Sequence, residues 1–214
     1  MRLLAFGLFL VSSVAWAQVP QSKHVWIITE ENHSYEAVIG NSNMPYYNSL
    51  AAKYGLATQY SSEQHNSLSA LMWLVAGQPV TANDDTTTCY NLNNIVKQLI
   101  ASGYHWRSYQ EDLPYAGFTG VSHLNYVRRH NPIIDFTDSC AAKQATNSVP
   151  FTQLANDIAK RTTPNYAYIT PNLDHDSHSA SLAAAPAWGS PVSLLSATTC
   201  SVRPGLAART CSGA

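Results

Sequence analysis

Charged side chains are scarce in this 214-residue sequence. Lysine, arginine, aspartate and glutamate together make up 12% of it, and the formal net charge at pH 7 is −1. A protein that binds nucleic acid through its backbone needs a basic face that neutralises several phosphates. The composition therefore argues against nucleic acid as a partner, and any phosphate must be bound by a few local side chains.

Long apolar runs are also lacking. A membrane-spanning helix needs roughly 20 apolar residues, whereas the one long run, Leu3–Val14, is shorter and does not recur. It follows Met1 and Arg2 and is followed by Ala15 to Ala17, with small residues at the −3 and −1 positions. The pattern predicts a secretory signal peptide over residues 1–17, no transmembrane segment, and a secreted or periplasmic protein. A buried N-terminal helix is the alternative.

Cysteines number only four, at positions 89, 140, 200 and 211. No two have the C-x-x-C spacing of a zinc knuckle, which disfavours a structural zinc site. Thiols of an exported protein are expected to pair. We predict a disulfide between Cys89 and Cys140, because both lie in polar, turn-rich stretches of the regularly patterned part of the chain. The pairing of Cys200 and Cys211 stays open.

Acidic residues are absent from the C-terminal part. All thirteen precede Ser177, and none occurs from there to Ala214. From Gly189 onward the chain is dominated by Ser, Ala, Thr, Pro and Gly. We therefore predict one domain over 18–188 and an irregular tail over 189–214 without a stable element.

The regular part alternates strand and helix patterns. An alternation of this kind predicts an α/β fold with a mostly parallel sheet covered by helices on both faces. Ligands of such sheets bind outside the carboxyl ends of the strands, and polar clusters follow two predicted strands, at 30–34 and 172–178. The strand patterns cover 24–29, 104–109 and 166–170, and the helix patterns cover 44–53, 67–76, 91–102 and 151–160.

Three side chains suggest a reaction. Glu31 and Asn32 offer carboxylate and amide oxygens that suit a hard divalent cation, whose identity the sequence does not give. Ser67 begins a predicted helix, where backbone N–H groups favour an anion such as phosphate and a serine oxygen could attack it. Each also has a simpler interpretation, as polar loop residues or as a helix N-cap.

A serine hydroxyl needs a metal or a base to become a good nucleophile. His130 and His178 are the candidate proton handlers. Arg128 and Arg129 could pair with a phosphate, but neighbours in an extended segment point to opposite sides, so we expect only one to do so.

Six stretches of the chain, in order, resemble the bacterial phosphoesterases that include acid phosphatases and phospholipases C, which have an alkaline phosphatase-like fold. They are EENHSY at 30–35, MPYYNSLAAKYG at 44–55, QHNSLSALMWLVAGQ at 64–78, YQEDLP at 109–114, RRHNPIIDF at 128–136 and YITPNLDHDSHS at 168–179.

The resemblance implies a role for each matching position. Glu31, Asn32 and Ser67 would bind the divalent cation, and Ser67 would also be the nucleophile. A second group would act on the substrate: His130 and His178 as catalytic histidines, with Arg129 and Asp176 as substrate-binding residues.

The sequence departs from this family in several places. Asn66 and Ser69 stand where the family usually has prolines, and Leu173 and Ala180 stand near positions where it often has cysteines. The family would continue into an apolar strand ending in an aspartate with a neighbouring acid, which the tail cannot supply. We therefore expect a phosphoesterase domain that is C-terminally truncated or altered in reading frame and lacks its late strands.

The sequence-based prediction is a secreted, metal-dependent phosphoric ester hydrolase. A catalytically silent, truncated homologue is the alternative, since a cation held by one carboxylate and one amide is weakly bound. A metal-free serine esterase using Ser67 and His178 ranks lower, because no G-x-S-x-G motif is present.

Overall fold

The computed structural model of the chain describes residues 22–179, 181–182, 200–201 and 209–211. The predicted signal peptide over 1–17 and most of the predicted tail lie outside these ranges. In the described part, no helix combines the length and the apolar character needed to cross a bilayer.

A six-stranded sheet forms the centre of the described structure. Four of its strands are parallel: β1 (Val25–Ile28), β2 (Trp106–Gln110), β5 (Ser148–Pro150) and β6 (Tyr166–Thr170). A separate hairpin pairs β3 (Ser122–His123) with β4 (Tyr126–Val127). All five residues of β6 are buried because this strand lies between β2 and β1, which gives a continuous apolar run rather than an alternating one.

Seven α-helices and two 3-10 helices are described around the sheet. The α-helices are α1 (Tyr35–Val38), α2 (Pro45–Tyr54), α3 (Ser67–Ala76), α4 (Ile95–Ala101), α5 (Thr137–Cys140), α6 (Ala142–Ala145) and α7 (Gln153–Lys160), and the 3-10 helices span Arg128–His130 and Pro132–Asp135.

Two apolar clusters cover opposite faces of the sheet. On one face, Leu154 of α7 packs with Trp26, Tyr109 and Ile169. On the other face, residues of α3 and α4 pack against the sheet. The buried members of this cluster are Val75, Val96, Trp106, Ile133, Phe136, Tyr166 and Tyr168. The predicted α/β fold, with a mostly parallel sheet between helices, is confirmed.

The tail differs from the prediction that it has no stable element. Its described backbone forms two short strands, β7 (Cys200–Ser201) and β8 (Arg209–Cys211), which pair antiparallel. β8 also pairs antiparallel with β1, placing Val25 opposite Thr210. The first two residues of β1, at the edge that missing late strands would have left open, are therefore paired. Strands of two or three residues are too short for an alternating pattern to reveal them.

The predicted disulfide is present. Cys89 and Cys140 are joined with their Cα atoms 6.2 Å apart, across a sequence separation of 51 residues. The neighbouring backbone is paired as well, since the Tyr90 N–H donates to the Asp135 carbonyl at 2.7 Å. In the chain-entropy view, a loop of this size makes the disulfide worth roughly 4 kcal/mol.

Candidate active site

The candidate site lies where the carboxyl ends of β1, β6 and β2 meet, in that order across the sheet. Thr29 N–H donates to the Ile169 carbonyl at 3.0 Å, and Glu111 N–H donates to the Thr170 carbonyl at 3.2 Å. Beyond the ends of β1 and β6, the Glu31 N–H donates to the Asp176 carbonyl at 2.9 Å. The two polar clusters at 30–34 and 172–178 therefore lie side by side, as the strand pattern predicted.

Glu31 is the side chain at which the predicted site residues converge. His130 Nε2 lies 3.0 Å from Glu31 Oε1, and both side chains are largely buried. The Ser67 side chain interacts with the same carboxylate and helps to lower its pKa. Three residues that are far apart in the sequence thus interact at one carboxylate, while the predicted roles of Glu31 and Ser67 stay predictions.

The surroundings keep Glu31 ionised. Burial alone would raise its pKa, but the hydrogen bond and charge of His130, with donation from the Asn32 N–H and from Ser67, lower the pKa to about 2. A carboxylate accepts hydrogen bonds and has none to give, so Nε2 of His130 bears a proton and donates it in a hydrogen bond to Glu31. Glu31 is therefore a fixed negative charge beside the serine and a weak base.

Ser67 is the first residue of α3 and is not its cap. The N-cap position belongs to Asn66, whose side chain makes no capping hydrogen bond. Asp84 instead accepts the backbone N–H of Leu68 through Oδ1 at 3.2 Å. Because other groups occupy the capping role, the Ser67 hydroxyl is left to contact Glu31. The N-cap interpretation of Ser67 is wrong for this structure.

Asn32 and His178 lie on the outer side of this group. His178 Nδ1 is 3.0 Å from the backbone carbonyl of Asn32, and both residues are exposed. The amide side chain of Asn32, predicted to bind a cation, stays a predicted ligand. His178 approaches residues 31–32 from the segment after β6, whereas His130 approaches from the 3-10 helix after β4.

Asp176 holds the turn that carries His178. Its Oδ1 accepts the N–H groups of His178 at 2.9 Å and Ser179 at 2.8 Å, and its Oδ2 accepts the Ser179 hydroxyl at 3.0 Å. The side chain is only 1% exposed. Both carboxylate oxygens thus accept hydrogen bonds within the turn. The contact with substrate predicted for Asp176 stays a prediction.

The two adjacent arginines have separate environments. Arg128 is 2% exposed and pairs with buried Asp135, with Nε to Oδ1 at 2.8 Å, and it also donates to the Thr119 carbonyl. Arg129 is half-buried and lies outside that ion pair. Since Arg128 is committed to the interior, the phosphate-binding role predicted for Arg129 stays a prediction for that residue alone.

A second set of carboxylates lies at the same edge and is not among the predicted site residues. Glu30 accepts hydrogen bonds from the Tyr47 hydroxyl and, at 3.0 Å, from the Ser177 hydroxyl. Burial raises the pKa of Glu30 to about 7, against those hydrogen bonds and together with the charges of Asp176 and Glu111. Glu111 lies 3.0 Å from His175 Nδ1 through each of its oxygens. The available signal was the position of both acids directly after strands.

The donor chemistry at Glu31, Asn32 and Ser67 fits a hard divalent cation, because it consists of carboxylate, amide and hydroxyl oxygens. It supplies only one negative charge. Among the residues with described placement, no three His, Cys, Asp or Glu side chains are grouped closely enough to hold a metal ion. A cation held here would therefore need further oxygens from water or from a phosphate.

Comparisons with known proteins point the same way as this geometry. The profile of the phosphoesterase family matches residues 41–193. A phosphatidylinositol-3-phosphatase of Mycobacterium tuberculosis is 34% identical over 177 residues, 82% of this chain and 58% of that protein. A probable acid phosphatase of Kluyveromyces lactis is 33% identical, over 78% of this chain and 41% of the relative.

An acid phosphatase of Aspergillus fumigatus is 29% identical, over 83% of this chain and 41% of the relative. The chain thus spans about half the length of the curated relatives it matches.

Proposed function

Because the chain belongs to the phosphoesterase family, we propose that it hydrolyses phosphate monoesters with Ser67 as nucleophile and with the help of a divalent cation. The observation that carries the proposal is the position of Ser67 at the start of α3, where its side chain interacts with the ionised Glu31 carboxylate that also contacts His130. The three relatives named above are all phosphatases, which favours monoesters over the diesters that a phospholipase C cleaves.

Ser67 would attack phosphorus at a helix end that favours anions. The helix dipole at the start of α3 attracts phosphate oxygens, while the Leu68 N–H is already bound by Asp84. Arg129, which lies outside the buried ion pair of Arg128, would supply a positive charge. In the reaction, the Oγ–P bond forms as the bond to the leaving oxygen breaks. Water then cleaves the phosphoserine and returns the serine.

Removal of the Ser67 proton needs more than Glu31, since a carboxylate with a pKa of about 2 is a weak base. A divalent cation bound by Glu31, Asn32 and Ser67 would lower the cost of that deprotonation and neutralise charge on the phosphoryl oxygens. His130 orients Glu31 through its Nε2–H. His178, exposed next to Asn32, would give a proton to the leaving oxygen.

Export is part of the proposal. The N-terminal pattern typical of a signal peptide and the disulfide between Cys89 and Cys140 both suit an oxidising compartment outside the cytoplasm. Expression with the native N-terminus, followed by N-terminal sequencing of the exported protein, tests it. A mature protein beginning near Gln18 is expected, and retention of Met1 on an unexported protein would contradict export.

Release of phosphate from an aryl phosphate with added Mg²⁺, Mn²⁺ or Ca²⁺ tests the activity. Ser67→Ala is compared with Ser69→Ala, a matched change two residues along the same helix at a side chain that is 3% exposed. We expect Ser67→Ala to lose at least about 10³-fold in rate, as nucleophile removal does, and Ser69→Ala to retain most of the activity. Equal rates in wild type and Ser67→Ala would contradict the proposal.

A phosphate-binding protein without turnover is the second candidate. It is favoured by the single carboxylate at the site, because a hard cation usually collects several charged oxygens and the described residues contain no group of three His, Cys, Asp or Glu side chains able to hold a metal ion. Thermal stabilisation by inorganic phosphate and a divalent cation, without phosphate release under any of the three cations, would favour this candidate over the enzyme.

A further inference from the structure

We propose that Glu111 is a positioning residue of the site: through His175 and Asn172 it fixes residues 172–179, and so places His178 beside Asn32. The kinetic part of this inference rests on the proposed function, while the structural part does not. Glu111 follows β2, on the far side of β6 from β1, so it acts on the site only through the segment that lies between them.

Glu111 holds the beginning of that segment at two points. Its Oε2 accepts the backbone N–H of Asn172 at 3.0 Å, and His175 Nδ1 lies 3.0 Å from each carboxylate oxygen. Next to it, Asp112 accepts a hydrogen bond from Asn172 Nδ2 at 2.7 Å. The residues after β2 therefore clamp one end of the segment.

Inside the segment, side-chain oxygens accept backbone N–H groups and so fix the path of the backbone. Asn172 Oδ1 accepts the N–H groups of Asp174 at 2.9 Å and His175 at 3.1 Å. The Asp176 carboxylate does the same for His178 one turn later. Ser177 has a φ of 68°, a left-handed conformation that is unfavourable for a residue other than glycine. Such a conformation persists when its surroundings fix it.

The far end of the segment rests on the residues after β1. The Asp176 carbonyl accepts the Glu31 N–H at 2.9 Å, and Ser177 donates its hydroxyl to Glu30 at 3.0 Å. His178 then reaches the Asn32 carbonyl at 3.0 Å. Hydrogen bonds at both ends of the segment, joined by the backbone between His175 and Asp176, therefore connect Glu111 with the residues that carry the predicted cation ligands.

Glutamine at position 111 tests this placement because it keeps the size and removes one acceptor. A carboxylate accepts from both Asn172 N–H and the His175 ring, whereas a carboxamide has one oxygen to offer and presents an NH₂ group to the other partner. The segment would loosen without a cavity in the core. Glu36→Gln is the matched control, since Glu36 is exposed on α1.

Hydrogen exchange of the backbone amides measures the positioning directly. In Glu111→Gln we expect the amides of His175, His178 and Ser179 to lose protection, while those of β6 keep it and Glu36→Gln matches wild type. His175→Gln, which breaks the same contact from its other side, should give the same pattern. Unchanged protection at His178 and Ser179 in both variants would overturn the proposal.

A double-mutant cycle with His178→Ala tests the consequence for catalysis. We expect Glu111→Gln to lower kcat by about tenfold or more, with a smaller change in KM, because small misplacements of catalytic groups are costly. In the His178→Ala background the same change should have little further effect on kcat, although it lowers Tm equally in both. An equal fold-loss of kcat in the two backgrounds would overturn the proposal, since a general loss of folding has that effect. A wild-type chain without phosphatase activity would refute the proposed function, and the exchange result would then decide the positioning alone.

Discussion

Glu30 and Glu31 are neighbours in the sequence, yet their carboxylates are in opposite environments. His130 and Ser67 donate to Glu31 and lower its pKa to about 2, so it is ionised. Burial raises the pKa of Glu30 to about 7, although the hydroxyls of Tyr47 and Ser177 donate hydrogen bonds that lower it. Successive residues of an extended segment point to opposite sides. One end of one strand therefore supplies both a charged group beside Ser67 and a largely buried group that holds the surrounding segments.

The largest expected effect is the difference in activity between variants of Glu31 and Glu30. Glu31→Gln removes the charge beside Ser67, and we expect a loss of about 10³-fold in kcat/KM, comparable to the removal of a major electrostatic contribution to the transition state. Glu30→Gln keeps an acceptor for Tyr47 or Ser177 and should lose about tenfold or less. Phosphate release by the two purified variants checks this, and similar losses in both would remove the distinction between the two carboxylates.

Arg128 and Arg129 are a second pair of sequence neighbours in different environments. We expect them to differ in their contribution to the free energy of unfolding. Arg128→Leu leaves Asp135 buried without its ion-pair partner, and we expect a loss of about 3–5 kcal/mol. Arg129→Leu should change stability by less than about 1 kcal/mol and act instead on KM for the phosphate ester. Urea unfolding followed by fluorescence, together with steady-state kinetics, gives both quantities. A stability loss from Arg129→Leu as large as that from Arg128→Leu would contradict the assignment.

Much of the fold could be predicted because strand and helix patterns carry their own periods. The strand predicted at 24–29 is β1, and the helix predicted at 67–76 is α3 with the same bounds. The run RRHNPIID has neither period, and it forms the two 3-10 helices that carry His130 and Asp135. β5 has only three residues, too few for a pattern.

The candidate site could be predicted in part for a similar reason. The strand pattern shows which residues follow a strand, and it therefore predicted that Glu31 and His178 lie at the same edge of the sheet. It does not show which partner a side chain finds. That Arg128 would be buried with Asp135, or that Glu111 would bind His175, depends on tertiary packing that no local period encodes.

The smallest expected effect concerns the pH dependence of stability in the chelated, cation-free protein. The folded-state pKa of Glu30 is raised from 4.5 to about 7, so the native state binds the extra proton and stability falls as pH rises from about 4.5 to 7. Glu30→Gln should remove that decline, on the order of 1 kcal/mol for a partly solvated carboxyl. Thermal unfolding across this range measures it, and a decline that persists unchanged in Glu30→Gln would assign it to another group.

Trapping the phosphorylated enzyme tests most directly whether Ser67 is the nucleophile. The chain is incubated with a phosphate monoester and a divalent cation, quenched in acid and digested, and the phosphorylated residue is located by mass spectrometry. We predict a phosphoryl group on Ser67, absent from Ser67→Ala and present in Ser69→Ala. A phosphoryl group on any other residue, or turnover by Ser67→Ala at the wild-type rate, would contradict the mechanism.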